Sequence, residues 1–386
     1  MEKPIESGRP VDLRRRGNLL RRLSHLNKID FSRLYNLALL ILLTCLLIYN
    51  QRSFNDEARR NLKETLNMTL TTTSTPQLAL PSGFLTRYAG NPLIPPGPDS
   101  YDIFKTGPRV VLKEGPNKYS MWYEAVFGPN KSYVGYATSP DGINWTKQGI
   151  VLRPTEVWEG GPDGEVSPNS ILVEGGVYKM WYHSYSNGKR RIGYATAKRV
   201  GYSAFNSKFL KWNKRSTPVL DIGPPGSWDD DMVVEPRVFK VGGQYRMYYG
   251  AKHAGDQGQG VYRLMMATST DGINWTKTNT PLFGPSDAGH AIIFDNGVWH
   301  MWFGRTNQGL GYAWSTDGIS WQEGQNRIVL SVNQNTVAPD SVGVGDSVSV
   351  YKDGNTYRIH YTGLRGYDPR TNSWPEAICM ATIVAQ

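Results

Sequence analysis

Glu235-Pro236-Arg237 is the segment of this chain best placed to do chemistry. Glutamate is depleted in β-strands, yet Glu235 stands at the head of the apolar strand expected at Val238–Val241. Other acids gather in comparable places. Tyr101-Asp102 precedes Gly107-Pro108-Arg109, Asp163-Gly164-Glu165 leads into Asn169, and Trp228-Asp229-Asp230-Asp231 lies just ahead of Glu235. Ser286-Asp287 comes before Gly289-His290, and Gly345-Asp346-Ser347 follows later. Carboxyl groups converging from several segments suit cleavage of a glycosidic bond. One protonated carboxyl gives its proton to the leaving oxygen, and a second activates water or attacks as nucleophile. For a single aspartate in such a segment, hydrogen bonding to nearby turn amides is the commoner role. Arg109, Asn169, Asp231, Arg237, Asp287, Arg305 and Asp346 are the polar candidates for contacting a substrate, and Trp158 and Trp228 the aromatic ones.

These segments recur because the chain repeats. Met121-Trp122-Tyr123, Met180-Trp181-Tyr182, Met247-Tyr248-Tyr249, Met301-Trp302-Phe303 and the weaker Ile359-His360-Tyr361 are spaced by 54 to 67 residues. Each is followed by a second signature, such as Gly135-Tyr136-Ala137-Thr138 or Met266-Ala267-Thr268. Three copies continue into Asp-Gly turns and a tryptophan, at Asp141–Trp145, Asp271–Trp275 and Asp317–Trp321. A period of this length points to a propeller or an array. Short runs rich in Tyr, Trp, Val, Ile and Thr, broken by Gly, Asn and Asp, read as consecutive antiparallel strands. In the first unit they fall at Arg109–Lys113, Tyr119–Val126, Tyr133–Ser139 and Trp145–Leu152. The expectation is an all-β fold, a five-bladed β-propeller over residues 81–386. Phe84–Ile94 supplies the outer strand that the fifth unit lacks, which also removes an exposed sheet edge. The Asp-Gly motifs are turn chemistry, and His183, His300 and His360, on or beside the aromatic strands, are assigned to packing.

Residues 1–33 carry nine Lys/Arg against four acids, a surplus that is half of the formal net charge of +10. Leu34–Tyr49 directly behind them has no charge. With its neighbours it reaches the lower limit for a membrane-spanning helix, which usually needs ~20 residues. No small-residue cleavage site follows it, so an uncleaved signal anchor over 34–50 is expected. The positive-inside rule then makes this a single-pass type II membrane protein with its propeller on the non-cytoplasmic side. The basic tail is thereby explained without nucleic acid. Residues 51–80 read as a Thr-rich stem. Asn67, Asn130, Asn144 and Asn274 stand in glycosylation acceptor patterns. With only Cys45 and Cys379, the propeller has no disulfide framework. No Cys/His spacing for zinc, no phosphate-cradling glycine loop and no Ser/His/Asp order is present.

Glu235-Pro236-Arg237-Val238-Phe239-Lys240 with Gly243–Tyr249 resembles the third blade of glycoside hydrolase family 43, and Gly289–Asp295 its fourth-blade Gly-His segment. The whole of 84–386 is similar to the five-bladed clan that includes the family 32 fructan hydrolases. The resemblance implies that Glu235 is the general acid and that His290 points into the channel, near a calcium or sodium ion, with no cofactor required. Where family 43 carries its base and its pKa-tuning aspartate, this chain has Gly107-Pro108 and Ser167-Pro168. Asp102, or less favourably Asp99, is then the expected base and Glu165 the modulating carboxylate. Glu235 should have a raised pKa, from burial and from Glu165 or Asp231 nearby. Two other readings stay open. One is a phosphorylase using external phosphate held by Arg109, Arg237 or Arg305. The other is a non-catalytic glycan-binding propeller in which Trp158, Trp228 and Tyr101 stack on sugars.

Overall fold

A computed structural model describes residues 83–199, 210–258, 261–287, 289–305, 308–366 and 375–385. The expected anchor and stem lie outside these residues. Among the described residues the protein is all-β, and no helix is long and apolar enough to cross a membrane. A short strand β1 (Thr86–Arg87) comes first. A first unit follows, of β2 (Lys105–Gly115), β3 (Lys118–Gly128), β4 (Lys131–Ser139) and β5 (Thr146–Leu152). The second holds β6 (Ser167–Glu174), β7 (Val177–Ser186), β8 (Lys189–Lys198) and β9 (Asn213–Lys214). The third holds β10 (Met232–Val241), β11 (Gln244–Lys252), β12 (Tyr262–Ser269), β13 (Thr276–Lys277) and β14 (Phe283–Ser286). The fourth holds β15 (His290–Asp295), β16 (Val298–Arg305), β17 (Gly309–Ser315), β18 (Gln322–Glu323) and β19 (Leu330–Ser331). The fifth holds β20 (Gly343–Asp353), β21 (Thr356–Leu364) and β22 (Glu376–Val384).

Within each unit successive strands pair antiparallel, except that β13 and β14 both pair with β12, and β18 and β19 both pair with β17. The first strands neighbour one another in a cycle: β2 with β6, β6 with β10, β10 with β15, β15 with β20 and β20 with β2. This is a propeller-like ring of open sheets, not a closed barrel. The ends of the domain meet as expected for Phe84–Ile94. Thr86 pairs with Thr382, Arg87 with Ala381, and Ile94 bridges Ile378. Outside the fourth unit, the first strands begin earlier than their apolar runs suggest. Those runs mark only the half beyond a β-bulge, so Glu235 lies inside β10 and not ahead of it.

Aromatic doublets weld neighbouring units. Ring centroids lie 5.3 Å apart for Trp122 and Tyr178, 6.1 Å for Trp181 and Tyr245, and 5.4 Å for Tyr248 and Trp299. Trp302 and Tyr357 follow at 5.4 Å, and Tyr119 and Tyr351 close the circuit at 5.9 Å. Each such pair adds about 1 kcal/mol beyond the area it buries. The Asp-Gly turns serve the same end. Asp141 accepts the amides of Ile143 and Asn144, and Gly142 takes the positive φ of 72° that the turn needs. Burial opposes ionisation of Asp141, but the amides of Asn144 and Ile143 win and bring its carboxyl down to about 2. The turns then reach across units. Trp181 donates to Gly272 O at 2.8 Å, Tyr248 to Gly318 O at 2.9 Å and Arg358 to Asp141 O at 2.9 Å.

A second repeated device fastens the outermost strand to the second strand of its unit. In the first unit Asp102 accepts from Lys147 of β5 at 2.6 Å and Tyr123 of β3 at 3.3 Å. The second unit uses Glu159 with Lys214 and Tyr182, and the third Asp229 with Lys277 and Tyr249. In the fifth, Asp340 meets Tyr361 and, from β1, Arg87. The fourth unit departs at two positions together. Phe303 replaces the tyrosine, Glu323 replaces the lysine, and Glu323 pairs with Arg305 at 2.6 Å instead.

Candidate active site

The β-bulge between Val234 and Arg237 throws Glu235 out of the ladder. Its φ of 52° is left-handed; among the described residues the other non-glycine residues found there are all asparagines. A bulky residue before proline is poorly suited to this conformation, and holding it costs of order 1–3 kcal/mol. Strain of this kind persists only where the surroundings enforce it, and here three neighbours do. One oxygen of the Glu235 carboxylate contacts Arg109 Nη1 directly. The other accepts the His290 amide at 3.3 Å. The Glu235 amide donates to His183 Nδ1, also at 3.3 Å.

The cluster extends into the first two units. Arg109 Nη2 binds Glu124 of β3 at 2.8 Å, and Lys105 lies 3.7 Å from the same carboxylate. Glu165 is held by Arg190 of β8 through two bonds of 3.0 Å, and His183 Nε2 lies 3.3 Å from it. Arg109, Glu124, Glu165, His183, Glu235 and His290 are each no more than 6% exposed.

All three glutamates are held below the ordinary carboxylate range. Burial pushes Glu235 up, but Arg109, then His290 and Arg237, outweigh it. For Glu165 burial is beaten by Arg190 and His183, and for Glu124 by Arg109 and Lys105. The raised pKa expected for Glu235 is therefore corrected, because its immediate partner is a cation and not a second carboxylate. Asp231, one of the carboxylates expected beside it, is instead tied to Lys189 at 2.8 Å and Lys252 at 2.9 Å.

Neither candidate cation site fits its donors. A hard cation takes six or more oxygens, whereas His290 faces Glu235 at 4.0 Å in company with Arg109 and Arg237. Glu124, Glu165 and His183 offer ligand atoms within 4.8 Å of one another. However, His183 Nδ1 accepts an amide hydrogen, so its proton sits on Nε2, the nitrogen a metal would need. Arg190 and Arg109 already neutralise the two carboxylates.

Several nominated residues have other work. Arg237 is a structural hub. Its guanidinium donates to Arg109 O (2.8 Å), Asn169 O (2.6 Å), His290 O (2.8 Å) and Val348 O (2.7 Å). Those carbonyls come from the other four first strands, so one side chain ties all five units at the centre of the ring. Asp102 belongs to the clasp described above and lies outside the glutamate cluster. Asp99 is bonded to Tyr101 at 2.6 Å. Arg305 is paired with Glu323 in the fourth unit. Trp158 donates to Ser216 O and stacks on Tyr182, which makes it part of the wall. Asn169 does sit by the cluster, accepting the His183 amide at 3.2 Å. The Asp287 amide bonds Gly304 O at 3.2 Å, and the Asp346 side chain lies outside the described residues. Trp228 remains 44% exposed, its ring 4.7 Å from the Arg263 guanidinium.

Sequence reasoning missed Glu124, His183 and Arg190. A signal existed for the first two. The position after each aromatic doublet reads Glu124, His183, Gly250, Gly304 and Thr362, varying while the doublet itself repeats.

A model of the glycosyl hydrolases family 32 N-terminal domain matches residues 116–292. Among curated proteins, Uncharacterized protein Rv1502 and Uncharacterized protein MT1551 of Mycobacterium tuberculosis are 30% identical over 171 residues, 42% of this chain and 52% of theirs. The chain thus spans about half the length of the curated relatives it matches. A solved glycoside hydrolase aligns with a TM-score of 0.58 at 16% identity, covering 78% of this chain and 91% of that one. Zg3597, a family 117 glycoside hydrolase produced by Zobellia galactanivorans, aligns at 0.55 and 18%, covering 79% and 91%. A structure from the GH130 family of mannoside phosphorylases, which contains glycoside hydrolases that target β-1,2 mannosidic linkages in Candida mannan, aligns at 0.53 and 20%, covering 80% and 95%. At these identities the likeness is one of fold, and the fold is that of propeller-like glycoside hydrolases.

Proposed function

We propose that this protein is a membrane-anchored carbohydrate-active enzyme that cleaves a glycosidic bond of an oligo- or polysaccharide. Its working part is a five-bladed propeller with Glu235 as proton donor. The observation that carries the reading is the strained Glu235, left-handed at a bulge and bonded to groups from three other blades. Burial alone drives a carboxyl toward its neutral form, and Arg109 is the first of the groups that oppose this. A substrate group that draws Arg109 away would let the Glu235 carboxyl take up a proton where it is used. Glu124 or Glu165, ionised at rest, is the carboxylate left to activate water, because Asp102 is engaged in its clasp. Trp228 is the aromatic surface available to a sugar ring.

The test is a screen of the full-length protein against aryl glycosides and oligosaccharides, with and without phosphate, followed by Glu235→Gln. Loss of ~10²–10⁴-fold is expected on substrates with poor leaving groups, with a much smaller loss on activated aryl substrates. Equal loss on both would remove the acid role. The pre-neutralised carboxylates favour one second reading, a glycan-binding propeller. Sugar binding without any turnover, dependent on Trp228 and indifferent to phosphate, would select it. Turnover only with phosphate, yielding a sugar phosphate, would identify a phosphorylase.

A further inference from the structure

Glu235 must be held in a conformation that its own side chain and the following proline both disfavour. Its amide has left the β10 ladder at the bulge and needs an acceptor elsewhere. That acceptor is His183 Nδ1, 3.3 Å away on β7 of the neighbouring unit. An imidazole nitrogen that accepts carries no proton, so the His183 proton lies on Nε2. Nε2 faces Glu165 Oε1 at 3.3 Å. Glu165 is immobilised by the two bonds from Arg190 and by its own amide, which donates to Glu159 O at 3.1 Å. The His183 backbone is fixed as well, paired with Ser167 and Ile192 and bonded to the Asn169 side chain. Arg190, Glu165, His183 and the Glu235 amide thus form one line of contacts from the second unit into the third.

We propose that His183 is a positioning residue for Glu235, kept by Glu165 in the neutral Nε2–H tautomer so that Nδ1 can receive the Glu235 amide. Glu165 acts in this through the imidazole. The inference rests on the reading of Glu235 as the working carboxylate, but its central claim, the tautomer, can be read without turnover.

Two substitutions separate the two ends of the ring. The oxygen of Asn falls where Nδ1 lies, so His183→Asn keeps an acceptor for the Glu235 amide. The amide group of Gln falls where Nε2 lies, so His183→Gln keeps a partner for Glu165 and loses that acceptor. In the full-length protein, nitrogen NMR of labelled histidine should show His183 with an unprotonated Nδ1 and a protonated Nε2. With the best aryl glycoside from the screen, His183→Gln should lower kcat by ~10²-fold, as expected when a reacting group is misplaced by about 1 Å, and leave KM nearly unchanged. His183→Asn should recover most of that loss. A protonated Nδ1 overturns the proposal, as does a Gln variant that matches wild type while the Asn variant fails. If no substrate is turned over, the function proposed for Glu235 falls, and the tautomer still decides whether His183 holds its amide.

Discussion

Arg109 links two glutamates of different units, touching Glu235 through one guanidinium nitrogen and Glu124, at 2.8 Å, through the other. All three groups are buried. Removing the arginine would leave two carboxylates facing each other without the cation between them. Arg109→Met should therefore destabilise the protein by about 3–5 kcal/mol at neutral pH, the usual cost of breaking a buried ion pair from one side. Adding Glu235→Gln to that variant should restore part of the loss. Denaturant unfolding of the three proteins measures both effects, and a double variant no more stable than Arg109→Met would refute the pairing as its cause.

The same electrostatics fix how stability depends on pH. Glu124, Glu165 and Glu235 all have folded-state pKa values below their unfolded ones. Each therefore contributes stability that is fully present above the unfolded carboxylate range, ~4.3, and is lost as pH falls through the folded value. Wild type should show a rise in melting temperature from strongly acid pH to about 5. That rise should be shallower in Glu165→Gln, where one of the three carboxylates no longer titrates.

Asp102→Asn is expected to leave chemistry alone and weaken the first unit. Its carboxylate is the shared acceptor of Lys147 and Tyr123, as Asp229 is for Lys277 and Tyr249. Asp102→Asn and Asp229→Asn should each cost about 3 kcal/mol, with kcat within about twofold of wild type. Loss of turnover with unchanged stability in Asp102→Asn alone would return that residue to the role of base.

Arg237→Lys should be among the most damaging conservative changes in the domain. The guanidinium reaches four carbonyls from four strands, and an ammonium has three donors around a single point. Carbonyls left buried and unbonded cost about 1–3 kcal/mol each. A midpoint shift below about 1 kcal/mol would contradict the hub role.

The proposed anchor has its own test. Protease added to sealed vesicles carrying the full-length protein should spare the domain from the cytoplasmic side and digest it from the other. Recovery of mature protein beginning after residue 50 would show cleavage and exclude an anchor.

Repeats, turns and the pairing of Phe84–Ile94 with the last unit were legible because each is a local pattern seen several times. The sequence pointed to Glu235, Glu165, Arg109, Asn169 and His290, which the structure brings together, but not to the contacts that join them. The direction in which the Glu235 pKa moves depends on Arg109, 126 residues away in sequence, and nothing local to the Glu-Pro pair announces that contact. The clasp at Asp102 was not legible because its lysine lies 45 residues on. Trp145-Thr146-Lys147, Trp212-Asn213-Lys214 and Trp275-Thr276-Lys277 carry the clasp pattern, and Trp321-Gln322-Glu323 breaks it just where Phe303 replaces tyrosine. His183 was assigned to packing because it adjoins Tyr182, although side chains alternate along a strand. Its ring faces Glu165 and Glu235, whereas Tyr182 is buried in the core.

Arg87 meets Asp340 across 253 residues of chain, and Asn91 meets Met380 across 289. On the ribosome the outer strand of the last unit is therefore among the first parts of the domain to emerge, and it waits for nearly all of the rest. The ring cannot shut until translation of the domain is almost finished. Pairings so distant in sequence make for slow folding. Throughout that wait both the early strand and the growing sheet present unpaired edges. Molecules synthesised side by side are thus most exposed to exchanging this strand with one another in the interval before closure.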